Sequence, residues 1–344
     1  MKKQITISEI ANELKLSKTA ISFVLNGKGR EMGISEQTQK KILQHLEHIN
    51  YIPNVSARGL RTGKTKTIAM MVEDISDPFF SSIARVVEEI AYTKGYKILF
   101  SSTENDSQRA RDLIQVFRRR QVDGYIIAPP PCIEPEISEL LDDGLAVVLF
   151  DRTLPTLKVD NVLVDNFQSS YNGIKHLINN GYENIAMISL ISEQIQMVER
   201  HRGYQTVMDE VNKQYIIKSV VYHDAVADNI SILQNFFIEN SHIDAVFFTT
   251  NYLAESGLEA IRNLNLRIPD DLGVIVFDDD KLFRLFTPSI TAIAQPISEI
   301  STQAVKLILM SLTNKGFKTT AQNVLLKTAL QIRESSQPRK NTHE

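Results

Sequence analysis

Lys18, Thr19, Ser22 and Phe23 stand in a stretch, SKTAISFVLNG, whose spacing places them along one side of a short helix. Ala20, Ile21 and Val24 fall on the opposite, buried side. An ammonium group, two hydroxyls and a ring presented together can touch base edges in the major groove of duplex DNA. Ser17 is placed to cap this helix, and Leu16 closes a tight turn from a preceding one. In that preceding helix Ile7, Ile10, Ala11 and Leu14 recur at i, i+3, i+4 and i+7, Thr6 is the N-cap, and Glu9 completes a capping box. Two short helices joined so tightly have the layout of a helix-turn-helix. A helical hairpin that only packs would show the same periodicity, so the neighbouring sequence must decide. A third helix is expected from Ser35, with Ile42, Leu43, Leu46 and Ile49 as its apolar stripe, stopping before Pro53. Residues 54–66 are then polar and basic, with Arg58, Arg61, Lys64 and Lys66.

Other clusters that could do chemistry are weaker. Gly59-x-x-x-Gly63-Lys64-Thr65 has three residues between its glycines, whereas a phosphate-binding loop needs four and must run from strand to helix. Asp278, Asp279 and Asp280 are consecutive at an expected strand end, so their carboxylates diverge, and no histidine lies near to complete a metal site. His45 and His48 are the closest histidine pair, at a spacing that is weak evidence for shared ligation. Arg118, Arg119 and Arg120 read as a solvated helix end that complements the helix dipole. Cys132 is the single cysteine, which excludes an intramolecular disulfide and suits a reducing compartment. No dinucleotide fingerprint after a strand, no G-x-S-x-G and no H-E-x-x-H occurs. An enzyme is not expected, nor any metal or cofactor.

Charge separates the chain into two parts. Residues 1–66 hold 12 Lys or Arg against 5 Asp or Glu, a net charge of +7. Residues 67–344 hold 26 against 36, a net of −10, so the overall −3 conceals a basic head on an acidic body. A polyanionic partner at one end only fits that distribution. No apolar run reaches the ~18 residues needed to span a bilayer, and no signal-peptide stretch follows Met1-Lys2-Lys3, so a cytoplasmic protein without membrane contact is expected.

From Thr67 the pattern changes to alternating strands and helices. Strands are expected at 68–72, 97–101, 124–128 and 146–150, with helices at 78–94 (capped by Asp77, with Pro78 first), 107–119 and 134–141. A second series follows Asn166: helices at 166–180, 200–211, 228–239 and 253–263, strands at 185–189, 219–222, 245–249 and 274–277. Two successive β-α series imply two parallel-sheet units facing one another, with a cleft at the carboxyl ends of the strands. What remains, 290–294, a helix at 297–314 and a strand at 323–329, is too little for a third domain.

The motifs LSKTAIS at 16–22, VLNG at 24–27, YIPN at 51–54, Ala57-Arg58, and Leu60 followed by RTGKT resemble the LacI/GalR family of lactose-repressor-like bacterial transcription regulators, and the similarity extends over essentially the full chain. The resemblance implies an α/β fold: an N-terminal three-helix head plus hinge helix, then a periplasmic-binding-protein-like core whose chain crosses three times between two parallel α/β subdomains. The boundaries it implies are a helix-turn-helix domain at 1–53, a hinge helix and linker at 54–66, an N-terminal core subdomain at 67–165 with 295–322, and a C-terminal one at 166–294 with 323–334.

The same resemblance implies a DNA-binding set of Thr6, Ser17, Lys18, Thr19, Ser22, Phe23, Asn26, Tyr51, Asn54, Ala57, Arg58 and Leu60. Lys18, Thr19 and Phe23 occupy the base-reading positions. The hinge helix falls on 54–60, and Leu60 matches a leucine wedged into a central minor-groove step, a device that needs two copies of the chain and so implies a homodimer on a near-palindromic operator. Phe23 departs from the family's usual arginine and cannot make its bidentate guanine contact. The turn at 28–34 is longer than usual in the family.

For a small-molecule effector the resemblance points to Phe79, Phe80, Arg152, Arg200, Asn251, Asp278 and Gln295. Planar guanidinium forks beside carboxylates and amides suit a sugar or sugar derivative. Val276 stands where the family usually has glycine, which is expected to narrow the pocket. The function implied is a sequence-specific DNA-binding regulator, expected to repress, whose operator affinity a small metabolite sets. A sugar-binding transport receptor without DNA regulation would share the body, but not the basic head.

Overall fold

Short capped helices come first because the caps are encoded locally. The computed structural model describes residues 5–49, 51, 64–221, 226–313 and 320–338, with only the backbone at 226 and 227. It divides into two compact units, Met1–Thr65 and Lys66–Glu344. In the first, α1 (Ile7–Leu14) begins with a reciprocal capping box: the Glu9 N–H donates to Thr6 Oγ1 at 3.2 Å and the Thr6 N–H donates to Glu9 Oε2 at 2.7 Å. Lys15 in the left-handed region (φ 54°) ends it. The Ser17 hydroxyl caps α2 (Lys18–Leu25), and Ser35 caps α3 (Glu36–His48). Ile10, Ala11, Leu14, Ile21, Val24, Ile42 and Leu46 interlock as the core of this unit.

Two expectations for the head need correction. Leu43 was placed on the apolar stripe of α3 but is 53% exposed, whereas Ile42 and Leu46 are buried in the core and Ile49 packs against it. Ser22 was placed on the outer face of α2 but is buried. The Asn26 amide folds back along the helix and donates to the Ser22 carbonyl, leaving Ser22 turned inward. The turn at 28–34 is closed by its own backbone: the Ile34 N–H donates to the Gly29 carbonyl at 2.9 Å, and Gly33 adopts φ +71°. The hinge expected at 54–60, with Asn54, Ala57, Arg58 and Leu60, lies outside the described residues.

The second unit holds two six-stranded sheets among the described residues. The strands are β1 (Thr67–Val72), β2 (Lys97–Ser102), β3 (Gly124–Ile127), β4 (Ala146–Phe150), β5 (Asp160–Val164), β6 (Ile185–Leu190), β7 (Ile216–Val220), β8 (Ala245–Phe248), β9 (Gly273–Phe277), β10 (Thr291–Ala294), β11 (Asn323–Leu326) and β12 (Ala329–Gln331). Sheet order is β11-β5-β4-β3-β1-β2 in one lobe and β12-β10-β9-β8-β6-β7 in the other, the same wiring twice. Every pairing is parallel except β10 with β12. Near-continuous burial of β1, β3, β4, β6, β8 and β9 is what a sheet covered by helices on both faces requires.

The first lobe is covered by α4 (Pro78–Thr93), α5 (Ser107–Arg119), α6 (Glu134–Asp142) and the late α12 (Ile297–Thr313), which packs on α4 and β4. The second is covered by α7 (Asn166–Asn179), α8 (Ile195–Glu210), α9 (Val226–Glu239) and α10 (Asn251–Asn263), with the short α11 (Lys281–Leu285) after β9. The chain passes between lobes at 165, at 295–296 and at 327–328. The last passage differs from expectation. The single strand read at 323–329 is two strands, and β11 runs parallel to β5, so residues 323–326 belong with the first lobe rather than the second. No described helix is long and apolar enough to cross a membrane.

Several acidic and basic runs have structural partners. Asp279 pairs with Arg333 at 2.8 Å and Arg284 at 3.3 Å, while Asp280 caps α11. Arg118 is more than a solvated end, since it joins α5 to Glu139 and Asp143 of the α6 segment.

Gly203 lies where α7 and α8 pack. A Cβ there would meet the Phe167 carbonyl oxygen at 2.5 Å and the Tyr171 nitrogen at 2.9 Å, backbone atoms that cannot rotate away. Gly203→Ala should therefore destabilise the fold by about 1–3 kcal/mol. Urea unfolding of the variant beside the parent protein checks this, and an unchanged midpoint would mean that the two helices can separate freely.

Candidate functional site

Parallel sheets leave their carboxyl ends open for ligands, and here the two sets of strand ends meet. Glu73 follows β1, Asp151 and Arg152 follow β4, Thr250 and Asn251 come just after β8, and Asp278 follows β9. From the helices, Asp77, Phe79 and Phe80 come from the start of α4, and Gln194, Gln196, Met197 and Arg200 from the start of α8. These residues line one cavity.

Arg152 is 6% exposed and bound on several sides. It reaches Glu73 at 2.7 Å and Asp151 at 2.8 Å, and it donates to Asn105 and Gln194, each at 3.2 Å. Burial alone would lower its pKa, but Glu73 and Asp151 outweigh burial and raise it. Arg200, 3% exposed, donates Nε to Asn166 Oδ1 at 2.9 Å and Nη1 to the Thr249 carbonyl at 2.6 Å. The Phe277 ring lies 3.5 Å beneath its guanidinium, a cation–π contact. Burial lowers its pKa against the pull of Asp278.

The carboxyl groups carry the opposite burden. Burial pushes Asp278 up to about 6, although Arg200 and a hydrogen bond from Gln295 Nε2 at 2.6 Å oppose it. Asp77 is pushed up to about 7, by burial first and by the fields of Asp278 and Glu73. Asp77 also caps α4 through the Phe79 N–H at 2.7 Å, and its other oxygen accepts from Asn251 Nδ2 at 3.0 Å.

Two of these contacts join the lobes. Asp77 to Asn251 is one latch. Gln194 is the other: its Nε2 donates to Asn105 Oδ1 at 3.1 Å, and its Oε1 accepts from Arg152. With both latches made, the central cavity is about 40 Å³, room for one or two waters, far below the volume of an ordinary ligand pocket. Wider recesses of about 420 and 500 Å³ flank it. The structure is that of a closed cleft held by its own side chains.

Asp151 (φ 65°) and Asp278 (φ 79°) both adopt the left-handed backbone region that favours glycine, at equivalent places after β4 and β9. Such backbones cost about 1–3 kcal/mol each and persist where surrounding contacts fix them.

Of the residues expected at an effector site, Phe79, Phe80, Arg152, Arg200, Asn251 and Asp278 line the central cavity. Gln295 instead stands behind Asp278, as its hydrogen-bond donor. Val276 is fully buried in the hydrophobic core of the second lobe and is not among the lining residues, so it does not narrow the pocket. Glu73, Gln194, Gln196 and Tyr252 were not singled out, and Asp77 was read as a helix cap rather than as an effector contact. Glu73 lies immediately after β1, where the strand-end rule could have found it. Gln194 and Gln196 were missed because α8 starts at Ile195, well before the expected residue 200.

In the head, Ser17, Lys18 and Thr19 are exposed at the start of α2, and Phe23 is half-buried. Thr6 caps α1 and remains exposed. Tyr51 is half-buried and donates its N–H to the Leu46 carbonyl at 2.9 Å. Ser22 and Asn26 point at each other rather than outward.

Comparison with known proteins adds to this geometry. A model described as bacterial regulatory proteins, lacI family, matches residues 6–54, and one described as a periplasmic binding protein-like domain matches residues 174–336. Catabolite control protein A of Priestia megaterium is 29% identical over 309 residues, 88% of this chain and 91% of that protein. The lac repressor dimer bound to operator and the anti-inducer ONPF shares the fold with a TM-score of 0.83 at 18% identity, over 97% of this chain and 100% of that one. The CelR–cellobiose complex does so with a TM-score of 0.71 at 21% identity, over 96% of this chain and 99% of that one.

Replacing Arg152 by Met should destabilise the fold by about 3–5 kcal/mol, because Glu73 and Asp151 would stay buried without their cation; denaturant titration measures it. The raised carboxyls set a pH dependence of opposite sense to the usual one. Between about pH 4 and pH 7 the folded chain holds protons on Asp77 and Asp278 that the unfolded chain has released, so their contribution to stability falls as pH rises through that window. Asp77→Asn keeps the helix cap and removes this penalty. Relative to the parent it should gain about 1–3 kcal/mol at pH 7.5 and nothing near pH 4, and a pH-independent difference would contradict the assignment.

Proposed function

The chain belongs to the LacI/GalR family of bacterial transcription regulators, and we propose that it is a cytoplasmic repressor whose grip on operator DNA is set by a sugar-like metabolite in the cleft. The observation that carries this reading is the union, in one chain, of two features. One is an exposed Lys18–Thr19 edge on a firmly capped helix, and the other is a cleft closed by displaceable polar latches.

The head supplies base contacts from Lys18 and Thr19, with phosphate contacts from the surrounding basic residues. Lys18 donates to guanine O6 or N7, and Thr19 hydrogen bonds or meets a thymine methyl. Phe23 presents a ring in place of a fork, so its base pair is selected by apolar contact. Leu60 and its copy in a homodimer wedge the central minor-groove step of a near-palindrome.

The body supplies control. An effector entering the central cavity must replace the Asp77–Asn251 and Gln194 contacts with its own. It therefore binds the open and latched cleft with different affinity, and that difference is what a regulator needs. A ligand that bound both forms equally would change nothing at the DNA. No catalytic role falls to the cleft residues in this reading: their task is to bind and report.

Removing residues 1–66 should abolish binding to a duplex selected from a random pool, while thermal stabilisation by the effector survives. Lys18→Ala should weaken the selected duplex by about 1–3 kcal/mol and non-specific DNA far less, measured by fluorescence anisotropy at fixed salt. Retention of selected-duplex binding after the deletion, or equal losses on both DNAs for Lys18→Ala, would refute the assignment of the head.

A further inference from the structure

We infer that the effector is a hydrogen-bond-donating polyol bearing an amino group, held with its ammonium at Asp77, rather than a sugar phosphate or sugar acid. This rests on the reading of the cleft as an effector site and names the ligand's chemistry.

The charge inside the central cavity is the first argument. Four carboxyls line it, Glu73, Asp77, Asp151 and Asp278, against two guanidiniums, Arg152 and Arg200. With all six ionised the lining carries two excess negative charges. With Asp77 and Asp278 both protonated it is neutral. In neither state does an anionic ligand meet a net positive wall. Arg152 is already engaged by Glu73, Asp151, Asn105 and Gln194, so a phosphate would have to break a buried ion-pair network to use it.

The hydrogen-bond inventory is the second, independent argument. Gln196 is 4% exposed and lines the cavity, and its Oε1 has no partner. Gln295 lies outside the lining, but its Nε2 occupies one oxygen of Asp278 from behind. One N–H of the Asn251 amide is engaged by Asp77. The buried lining acceptor left unmatched, Gln196 Oε1, calls for a donor. Hydroxyls and ammonium groups supply donors, whereas phosphates and carboxylates bring only acceptors at neutral pH.

Among the described residues the groups acting on Asp77 are Asn251, Asp278, the Phe79 N–H and Glu73, none of them a cation. Asp77, Glu73 and Tyr252 also line the 420 Å³ recess beside the central cavity, together with Asp74 and Glu255, and no Lys, Arg or His is among the lining residues described there. An ammonium at Asp77 would take the place of the Asn251 amide and so undo one latch directly. Entry of the ligand and release of the cleft become one event.

The test is calorimetric titration of the full-length protein at pH 7.5 with glucose, glucosamine, glucuronate and glucose 6-phosphate, and with the same four forms of galactose and mannose. In at least one series the amino form should bind at least tenfold more tightly than its neutral parent, with the two anionic forms weakest. Asp77→Asn should reduce the ratio of amino to neutral affinity toward one. Glu255→Gln, across the recess, is a second variant and should reduce the same ratio by a smaller factor. Tighter binding of any phosphate or acid, equal binding of all four forms, an unchanged ratio in Asp77→Asn, or no binding in any series would each overturn the inference. Anisotropy of the selected duplex, read in the same titrations, separates the two claims. Release of the duplex by a neutral or anionic form would keep the regulator reading and reject the amine alone.

Discussion

Arg152 and its two carboxylates are the constraint on which the site depends. Glu73 ends the first strand of one sheet, Asp151 and Arg152 end the fourth, and their ion pairs lie at 2.7 and 2.8 Å with almost no exposure to water. Buried charges at this density persist only when paired and hydrogen-bonded. The network therefore fixes the floor of the cleft before any ligand arrives, and Gln194 of the opposite lobe attaches to that floor rather than to a mobile side chain. The latched form is well defined because its anchor is rigid.

The two lobes repeat one wiring, and the repetition reaches the chemistry. Each places an aspartate just past its fourth strand, and each of those aspartates takes the left-handed backbone conformation. Their partners differ. Asp151 has a guanidinium on its own neighbour, whereas Asp278 has a glutamine amide and a more distant arginine, so burial weighs more heavily on Asp278. The same scaffold position thus yields a firmly paired carboxylate in one lobe and one pushed upward by burial in the other.

How much of this could be read in the sequence varied with how local the cause was. Helix caps act over three residues, so Thr6, Ser17, Ser35 and Asp77 announced their helices correctly. The alternation of strands and helices was legible for the same reason. β5 escaped notice because it opens with Asp160 and Asn161, polar residues whose side chains are satisfied in part by the distant segment 322–323. Ser22 was misplaced since helical periodicity alone cannot see the Asn26 amide folding back on it. Among cleft residues, the arginines and Asp278 stood out by type and motif. Glu73, Gln194 and Gln196 gain their roles from the meeting of two lobes, which no local pattern records.

The final passage between lobes, at 327–328, bears on how this gene tolerates damage. β11 edges the first sheet and β12 edges the second, with one residue pair between them. Beyond them Ser335 donates to the Val274 carbonyl and accepts from the Thr291 N–H, while the Ser336 hydroxyl meets Thr291 and His176. A stop codon falling just before residue 323 would spare the head and nearly all of the cleft lining, yet it would strip a border strand from both halves together. Neither half is a contiguous stretch of the reading frame, so no single cut can release one of them intact. In such a chain the codons for residues 323–336 matter to the whole body, and a fusion joined beyond them must leave that short segment free to return.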